Sequence, residues 1–391
     1  MKKSAKFILV LDVLLLIVAF FLAGINASNK YGNKQPIKQT ALEEQKVTLP
    51  SSEVTKTAVP ETKEPVITVA PIAPKNTVLT FTGDVLLTDY MINNYKRGGI
   101  KGLLDDKLYE LLYNADINMI NEEFPFSNRG TPMPNKEYTF RTSTQYVSVL
   151  QDMGVDIVTL ANNHALDYGT DALLDTFTTL DDAGIRYIGA GKNLDRAKKI
   201  EYFDVNGRRI AFIGASRVLP VVEWYATSNR PGMLSTYDPT ITCELIKEAK
   251  QQADYEVVYV HWGIEHTERP VKYQQDMGKK YIDSGADIVV GTHTHSLQGV
   301  EFYQDKPIVY SLGNFIFSKK TTDTAMIKLE IDSDGNMNLA MYPCKAVNGL
   351  TSMVTDSEEI KKFNKYIESI SYNIRIDENQ ILRISDESVN N

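Results

Sequence analysis

The chain has 391 residues, 43% hydrophobic and 24% charged, a balance that excludes a purely disordered chain, a collagen-like fibre and a coiled coil. Fifty acidic against 42 basic residues leave a net charge of −8, so nothing speaks for a sequence-independent nucleic-acid binder. Two cysteines, Cys243 and Cys344, are too few for a disulfide framework or an all-cysteine zinc site.

Lys2, Lys3 and Lys6 precede an apolar run at 7–25 that is interrupted only by Asp12. Nineteen helical residues rise about 28 Å, close to the ~30 Å of a hydrocarbon core. Basic residues in front of such a run orient it with the N-terminus in the cytoplasm and the remainder outside. The expectation is therefore a single-pass anchor in membrane lipid, with the main domain extracytoplasmic. A signal peptide cleaved near Ile25-Asn26-Ala27 is the alternative, but the run exceeds the ~7–15 residues of a typical signal core. Residues 1–27 make up the cytoplasmic start and anchor. Residues 28–76, rich in Lys, Thr, Glu, Pro and Val, read as a disordered spacer, because that composition buries too little apolar area to offset ordering.

From residue 77 short β-rich apolar runs alternate with helix-like segments. Strand-like runs lie at 77–82, 155–160, 210–213, 257–260, 288–290 and 308–310; helix-like segments lie at 144–153, 170–183, 238–253 and 271–284. Gly154 and Gly184 stand where a helix stop signal is expected. This alternation predicts an α/β fold with strands covered on both faces and ligands gathered beyond their carboxyl ends. The main domain covers 77–320. Residues 321–391 complete it, with a hairpin about Asp334-Gly335, then a short helix and a terminal strand.

The five histidines occupy three motifs, each at the end of an apolar run: ANNH with His164, HWGIEH with His261 and His266, and GTHTH with His293 and His295. Imidazole is the commonest nitrogen ligand for borderline metals, and in an extended segment His-x-His puts two rings on one side. Asp84 in TFTGD, Glu123 in INEEF and Asn163 add oxygen donors. Such a mixed set suits Zn, Mn or Fe, and a bridging carboxylate would admit one ion or two. Glu122 reads as a solvated neighbour of Glu123, Trp262 as packing, and His266 as solvated or as a support behind a ligand.

The ordered set TFTGD, N-x-E at 121–123, ANNHALDYG, HWGIE, GTHTH and YSLGNFIF resembles the CapA family of capsule and poly-γ-glutamate synthesis proteins, over about residues 77–320. That family is similar in fold to the calcineurin-like metallophosphatases, which implies a four-layer α/β/β/α sandwich with a two-metal centre between its sheets. The resemblance implies Asp84, Glu123, Asn163, His261, His293 and His295 as metal ligands and His164 as general acid. Leu86 departs from the phosphatase pattern, which has a histidine there, so the set Asp84, Glu123, His295 is one ligand short. A general acid needs an orienting carboxylate, and Asp167 lies three residues on. Arg141 is a candidate for binding an anionic substrate group, Glu265 for supporting a ligand histidine, and Asn314 for shaping the substrate cleft.

The function implied is a membrane-anchored component of poly-γ-glutamate or capsule synthesis or export. Its partners would be an anionic polymer or a phosphate-containing substrate and other membrane components of a polymer synthase, with no nucleic acid. No GxxxxGK[ST] motif is present, so ATP activation through a P-loop is not expected of this chain. A free-standing metal-dependent phosphoesterase and a non-catalytic polymer-guiding scaffold are the alternatives.

Overall fold

The structure, a computed structural model, describes residues 75–385. The expected anchor at 7–25 and the spacer up to residue 74 lie outside the described residues. Among the described residues no helix is long and apolar enough to cross a membrane.

The principal elements begin with β1 (Thr77–Val85), α1 (Asp89–Gly98), α2 (Asp106–Tyr113), β2 (Ile117–Glu122), α3 (Val147–Asp152), β3 (Ile157–Thr159), α4 (Thr170–Ala183) and β4 (Arg186–Ile188). Next come β5 (Glu201–Val205), β6 (Arg208–Ser216), α5 (Thr240–Ala249), β7 (Tyr255–His261), α6 (Lys272–Asp283) and β8 (Ile288–Thr292). Then follow β9 (Val300–Tyr303), β10 (Lys306–Val309), β11 (Asn314–Ile316), β12 (Thr322–Ile331), β13 (Met337–Val347), β14 (Leu350–Met353) and α7 (Ser357–Ile370), and a pair of short antiparallel strands, Ile374–Ile376 and Leu382–Ile384, comes last. Helix α4 has the bounds its periodicity suggests, and Gly184 closes it at φ 74°. The stretch at 144–153 differs. Ser143 makes no side-chain cap, the first turn is 3₁₀, and the α-helix starts only at Val147.

Both large sheets are mixed. One runs β14-β13-β12-β1-β2-β3-β4, with β11 beside β1; the other runs β9-β10-β8-β7-β6-β5. Strands β1 to β4 are parallel to one another, as are β6, β7, β8 and β10, so each sheet delivers several carboxyl ends to one edge. Alternation along the strands separates three cores. Leu79, Phe81 and Met119 of the first sheet meet Phe212, Val257, Tyr259 and Val290 of the second in an inner core. The first sheet's other face packs Ile120 and Val158 against Leu108, Leu150 and Phe177 of α2, α3 and α4. The second sheet's other face packs Val258 and Val289 against Ile246, Met277 and Tyr281 of α5 and α6. Cys344 and Cys243 are free thiols in these two separate outer cores.

One approach of backbone to backbone shapes the edge of the first sheet. A Cβ on Gly83 would lie 1.8 Å from the Gly313 carbonyl oxygen, so only glycine fits. The same contact lets the Asp84 N–H donate to that oxygen at 2.9 Å. The β1–β2 register shifts between Phe81 and Asp84.

Glu122 corrects the sequence reading, which placed it in solvent. It lies at the end of β2, opposite Val85 and on the face of Ile120, and is 0% exposed. Neither carboxylate oxygen has a hydrogen-bond partner. Burial raises its carboxyl well above the ordinary 4.5. Raising an acid's folded-state pKa costs stability as pH climbs past the unfolded value. Glu122→Leu should therefore stabilise the fold by about 1–3 kcal/mol, the cost of an unsatisfied buried polar group. The gain should be smallest below pH 4.5 and larger at neutral pH. Denaturant melts of both chains at acid and neutral pH check this, and an unchanged or lower midpoint at neutral pH would refute it.

Candidate metal centre

The carboxyl ends of β1, β2, β7 and β8 converge at one edge. Asp84 pairs in register with Asn121, and Thr292 with His261. Two groups of donors result, Glu123–His261–His293 and Asp84–Glu123–His295, and within each the donor atoms lie within 4.8 Å of one another. Glu123 belongs to both. The Asn163 Oδ1 sits 2.9 Å from His261 Nε2 and extends the first group to four. Asp84, Glu123 and His261 are fully buried, and His293 nearly so.

The two histidines of GTHTH reach the centre by a backbone route other than the extended one expected. His293 has φ 99° and His295 φ 56°, both left-handed, so the segment turns and each ring joins a different group. Their rings are 6.1 Å apart, whereas His261 and His293, in the same group, are 4.6 Å apart. Gly291 makes room for the turn, since a Cβ there would be 2.2 Å from both Trp262 Nε1 and the Tyr310 carbonyl. Trp262 is packing: it is buried, and its Nε1 donates to that carbonyl at 3.0 Å.

Amides hold the acids in place. Asn121 Nδ2 donates to Asp84 Oδ1 at 2.7 Å and reaches Glu123 Oε2 at 3.4 Å. Asn162 Nδ2 donates to Asn121 Oδ1 at 3.0 Å and to the Glu122 carbonyl at 2.7 Å. Its Oδ1 accepts the His164 N–H at 3.0 Å. In ANNH, then, Asn162 braces the backbone while Asn163 faces the centre.

Beside the acids stands a dyad. Asp167 Oδ2 lies 2.6 Å from His164 Nδ1, and His164 Nε2 lies 3.9 Å from Glu123 Oε1. Asp167 is fixed in turn by the Phe140 N–H at 2.7 Å and by the Lys136 ammonium. Lys136 also donates to the Asn163 carbonyl, lies 3.1 Å from His164 Nδ1 and sits over the Trp224 ring at 5.1 Å. Sequence reasoning missed Lys136, because a lysine in a proline-flanked loop carries no local signal of burial. The Phe140 ring lies 4.5 Å from His164 and the Phe317 ring 4.9 Å from His295.

The three residues suggested for substrate are placed differently. Asn314 Oδ1 lies 2.8 Å from His295 Nδ1 and orients that ring. Arg141 is exposed, donates to the Arg129 and Gly130 carbonyls and stacks on Tyr168 at 4.3 Å. Glu265 is exposed and makes no hydrogen bond to a ligand histidine among the described residues; its charge is felt at Glu123 and Lys136. Leu86 is buried in the outer core of the first sheet and offers the centre nothing.

The donors fit a divalent cation. Glu123 Oε1 and His293 Nδ1 are buried with no hydrogen-bond partner, an arrangement that is unfavourable unless a positive charge faces them. Burial, with the Asp84 charge next, raises the Glu123 carboxyl well above its ordinary range. Burial lowers His261 well below the usual imidazole value and His293 to about 3, so both are neutral and ready to ligate. At His295 burial opposes charge as well, but Asp84 and Glu123 outweigh it and raise the ring to about 10.

The chain belongs to the bacterial capsule synthesis protein family PGA_cap, whose profile matches residues 78–319. It is 34% identical over 270 residues to the PGA biosynthesis protein CapA of Bacillus subtilis (strain 168), covering 68% of this chain and 70% of that one. It is 31% identical over 289 residues to the capsule biosynthesis protein CapA of Bacillus anthracis, covering 71% of this chain and 70% of that one. Among solved structures, a phosphatase from Mycoplasma pneumoniae aligns with TM-score 0.46 and 14% identity over 74% of this chain and 97% of that one, a likeness from which nothing about this site follows.

The two donor groups differ in what they must release. A ligand imidazole must be neutral, and at neutral pH His295 holds a proton while His261 and His293 do not. Loading Asp84–Glu123–His295 should therefore expel the His295 proton, and its affinity should rise with pH through the neutral range. Calorimetric metal titrations in buffers of different ionisation enthalpy measure this; an ion that fills this group with no proton release would contradict the assignment.

Proposed function

We propose that the chain is a membrane-anchored, extracytoplasmic component of poly-γ-glutamate or capsule polymer synthesis or export, with a metal-assisted hydrolase or transferase site acting on an anionic chain. Family membership supports the polymer role, and the apolar run at 7–25 supports the anchor. The observation that carries the site is the Glu123 carboxylate shared by two buried donor groups, with one of its oxygens unpartnered. Glu123, Asn163, His261 and His293 would hold one ion, and Asp84, Glu123 and His295 a second; Mn, Zn or Fe suits these donors. Such an ion supplies Lewis acidity toward a carbonyl or phosphoryl oxygen and toward water.

The chain's own groups supply proton transfer and orientation. Asp167 on Nδ1 fixes the His164 ring, so Nε2, which faces Glu123, is the nitrogen that moves a proton. Burial, only partly offset by Asp167, holds the ring neutral until it takes one. Lys136 fixes Asp167 from its other oxygen, and the Phe140 ring packs against the Phe317 ring edge to face beside the dyad. The same dyad suits a phosphate ester as well as an amide, which favours a free-standing phosphoesterase as the second reading.

The test uses the full chain. The wild type should retain divalent metal through purification, and His293→Ala should lose most of it; equal metal content in the two would overturn the centre. His164→Ala should keep its metal yet fail to restore surface polymer in a producing bacterium that lacks this protein. Full restoration would make the role non-catalytic. Turnover of a simple phosphodiester by the isolated chain, with no effect on polymer, would favour the phosphoesterase.

A further inference from the structure

The rim of the second sheet carries a cation that the centre does not use. Arg217 follows β6 directly, and its N–H donates to the His261 carbonyl at 2.8 Å, which ties it to the strand end bearing a ligand ring. Its guanidinium lies between two aromatic faces, 4.9 Å from the Tyr237 ring and 4.5 Å from the Tyr273 ring. Tyr273 is itself fixed, because its hydroxyl accepts from the Gly263 N–H at 2.8 Å and donates to the Gly263 carbonyl at 3.0 Å. Tyr237 stacks on Tyr225 at 6.2 Å.

A guanidinium has five N–H donors. Arg217 uses one inside the chain, from Nη1 to the Tyr237 carbonyl at 2.9 Å. Arg129, Arg196, Arg209 and Arg383 each hold a carboxylate; among the described residues Arg217 holds none, and it is half-buried rather than sealed. The clamp has already removed the rotamer freedom that an arginine loses on gripping a ligand. In a chain of net charge −8, a fixed local cation is also what an acidic ligand needs in order to approach.

We propose that Arg217, clamped between Tyr237 and Tyr273, is an oxyanion subsite that grips a carboxylate of the polymer chain on the rim next to the strand end that bears His261. This rests on the polymer reading above and deepens it. A γ-linked glutamyl chain carries a free carboxylate on every residue, so one fixed cation on this rim can hold the chain in register, and a guanidinium fork matches a carboxylate bidentately. A phosphate group presents similar oxygens, and the test separates the two.

Oligo-γ-glutamate is titrated at low salt into the full chain, into Arg217→Gln and into Arg217→Lys, with metal content measured alongside. Arg217→Gln should bind about tenfold more weakly, as loss of one charge-assisted contact implies, with its metal content unchanged. Arg217→Lys, which keeps the charge and loses the fork, should fall between. Binding by Arg217→Gln within about twofold of wild type overturns the subsite and leaves the polymer reading standing. Failure of the wild type to bind the oligomer, with metal retained, overturns both. Arg217-dependent binding of inorganic phosphate alone assigns the subsite to phosphate and overturns the carboxylate assignment. Metal loss in both variants makes Arg217 a structural staple and overturns it as well.

Discussion

Two carboxylates without solvent exposure, Asp84 and Glu123, share one small volume at the seam of two sheets, and the rest of the centre is organised around that constraint. Like charges placed together in a low-dielectric setting repel, and each also loses its hydration. The protein offsets this only in part. Asn121 bridges the pair with its amide, and His295 stands 3.6 Å from Asp84 Oδ2. Glu123 Oε1 has no compensation within the chain, with His164 Nε2 and His261 Nε2 each 3.9 Å away. At that distance neither nitrogen hydrogen-bonds to the carboxylate; His261 Nε2 is placed to share an ion with it, and His164 Nε2 to move a proton beside it.

The fold bears the cost of bringing these groups together in its backbone. Gly83 lies against Gly313 and Gly291 against Trp262, so β1 and β8 can end where their acid and imidazoles face one another. His293 and His295 occupy the left-handed region that non-glycine residues seldom adopt, at φ 99° and 56°. Strain of this kind persists only where surrounding structure over-determines it, and here it coincides with the ligand positions.

The sequence carries the parts of this site that depend on strand ends and residue type. Histidines confined to ANNH, HWGIEH and GTHTH announce a centre, because each motif follows an apolar run. Helix α4 and the β12–β13 hairpin are equally plain, being set by local periodicity and turn residues. What is missing follows from distance along the chain. Lys136 becomes half-buried only because Asp167 and Trp224 close on it from 31 and 88 positions away, which no local pattern encodes. Glu122 looks like its neighbour Glu123, yet strand alternation sends the two to opposite faces, one into an apolar core and one into the centre. The split between Asn162 and Asn163 likewise depends on which amide meets Asn121 and which meets His261.

The two donor groups are also unequal, and the inequality is built into β1. Leu86 N–H donates to the Ile316 carbonyl at 2.6 Å, which turns that position into the outer core and away from the centre. The group with Asp84 and His295 is thereby limited to three protein donors, one of them a ring that its own acidic partners keep protonated. The other group has four donors, its two imidazoles held neutral by burial. A borderline cation is favoured by donor number and by ligands that need not first surrender a proton. Of the two, the Glu123–Asn163–His261–His293 position would therefore hold a divalent ion more readily than the Asp84–Glu123–His295 position.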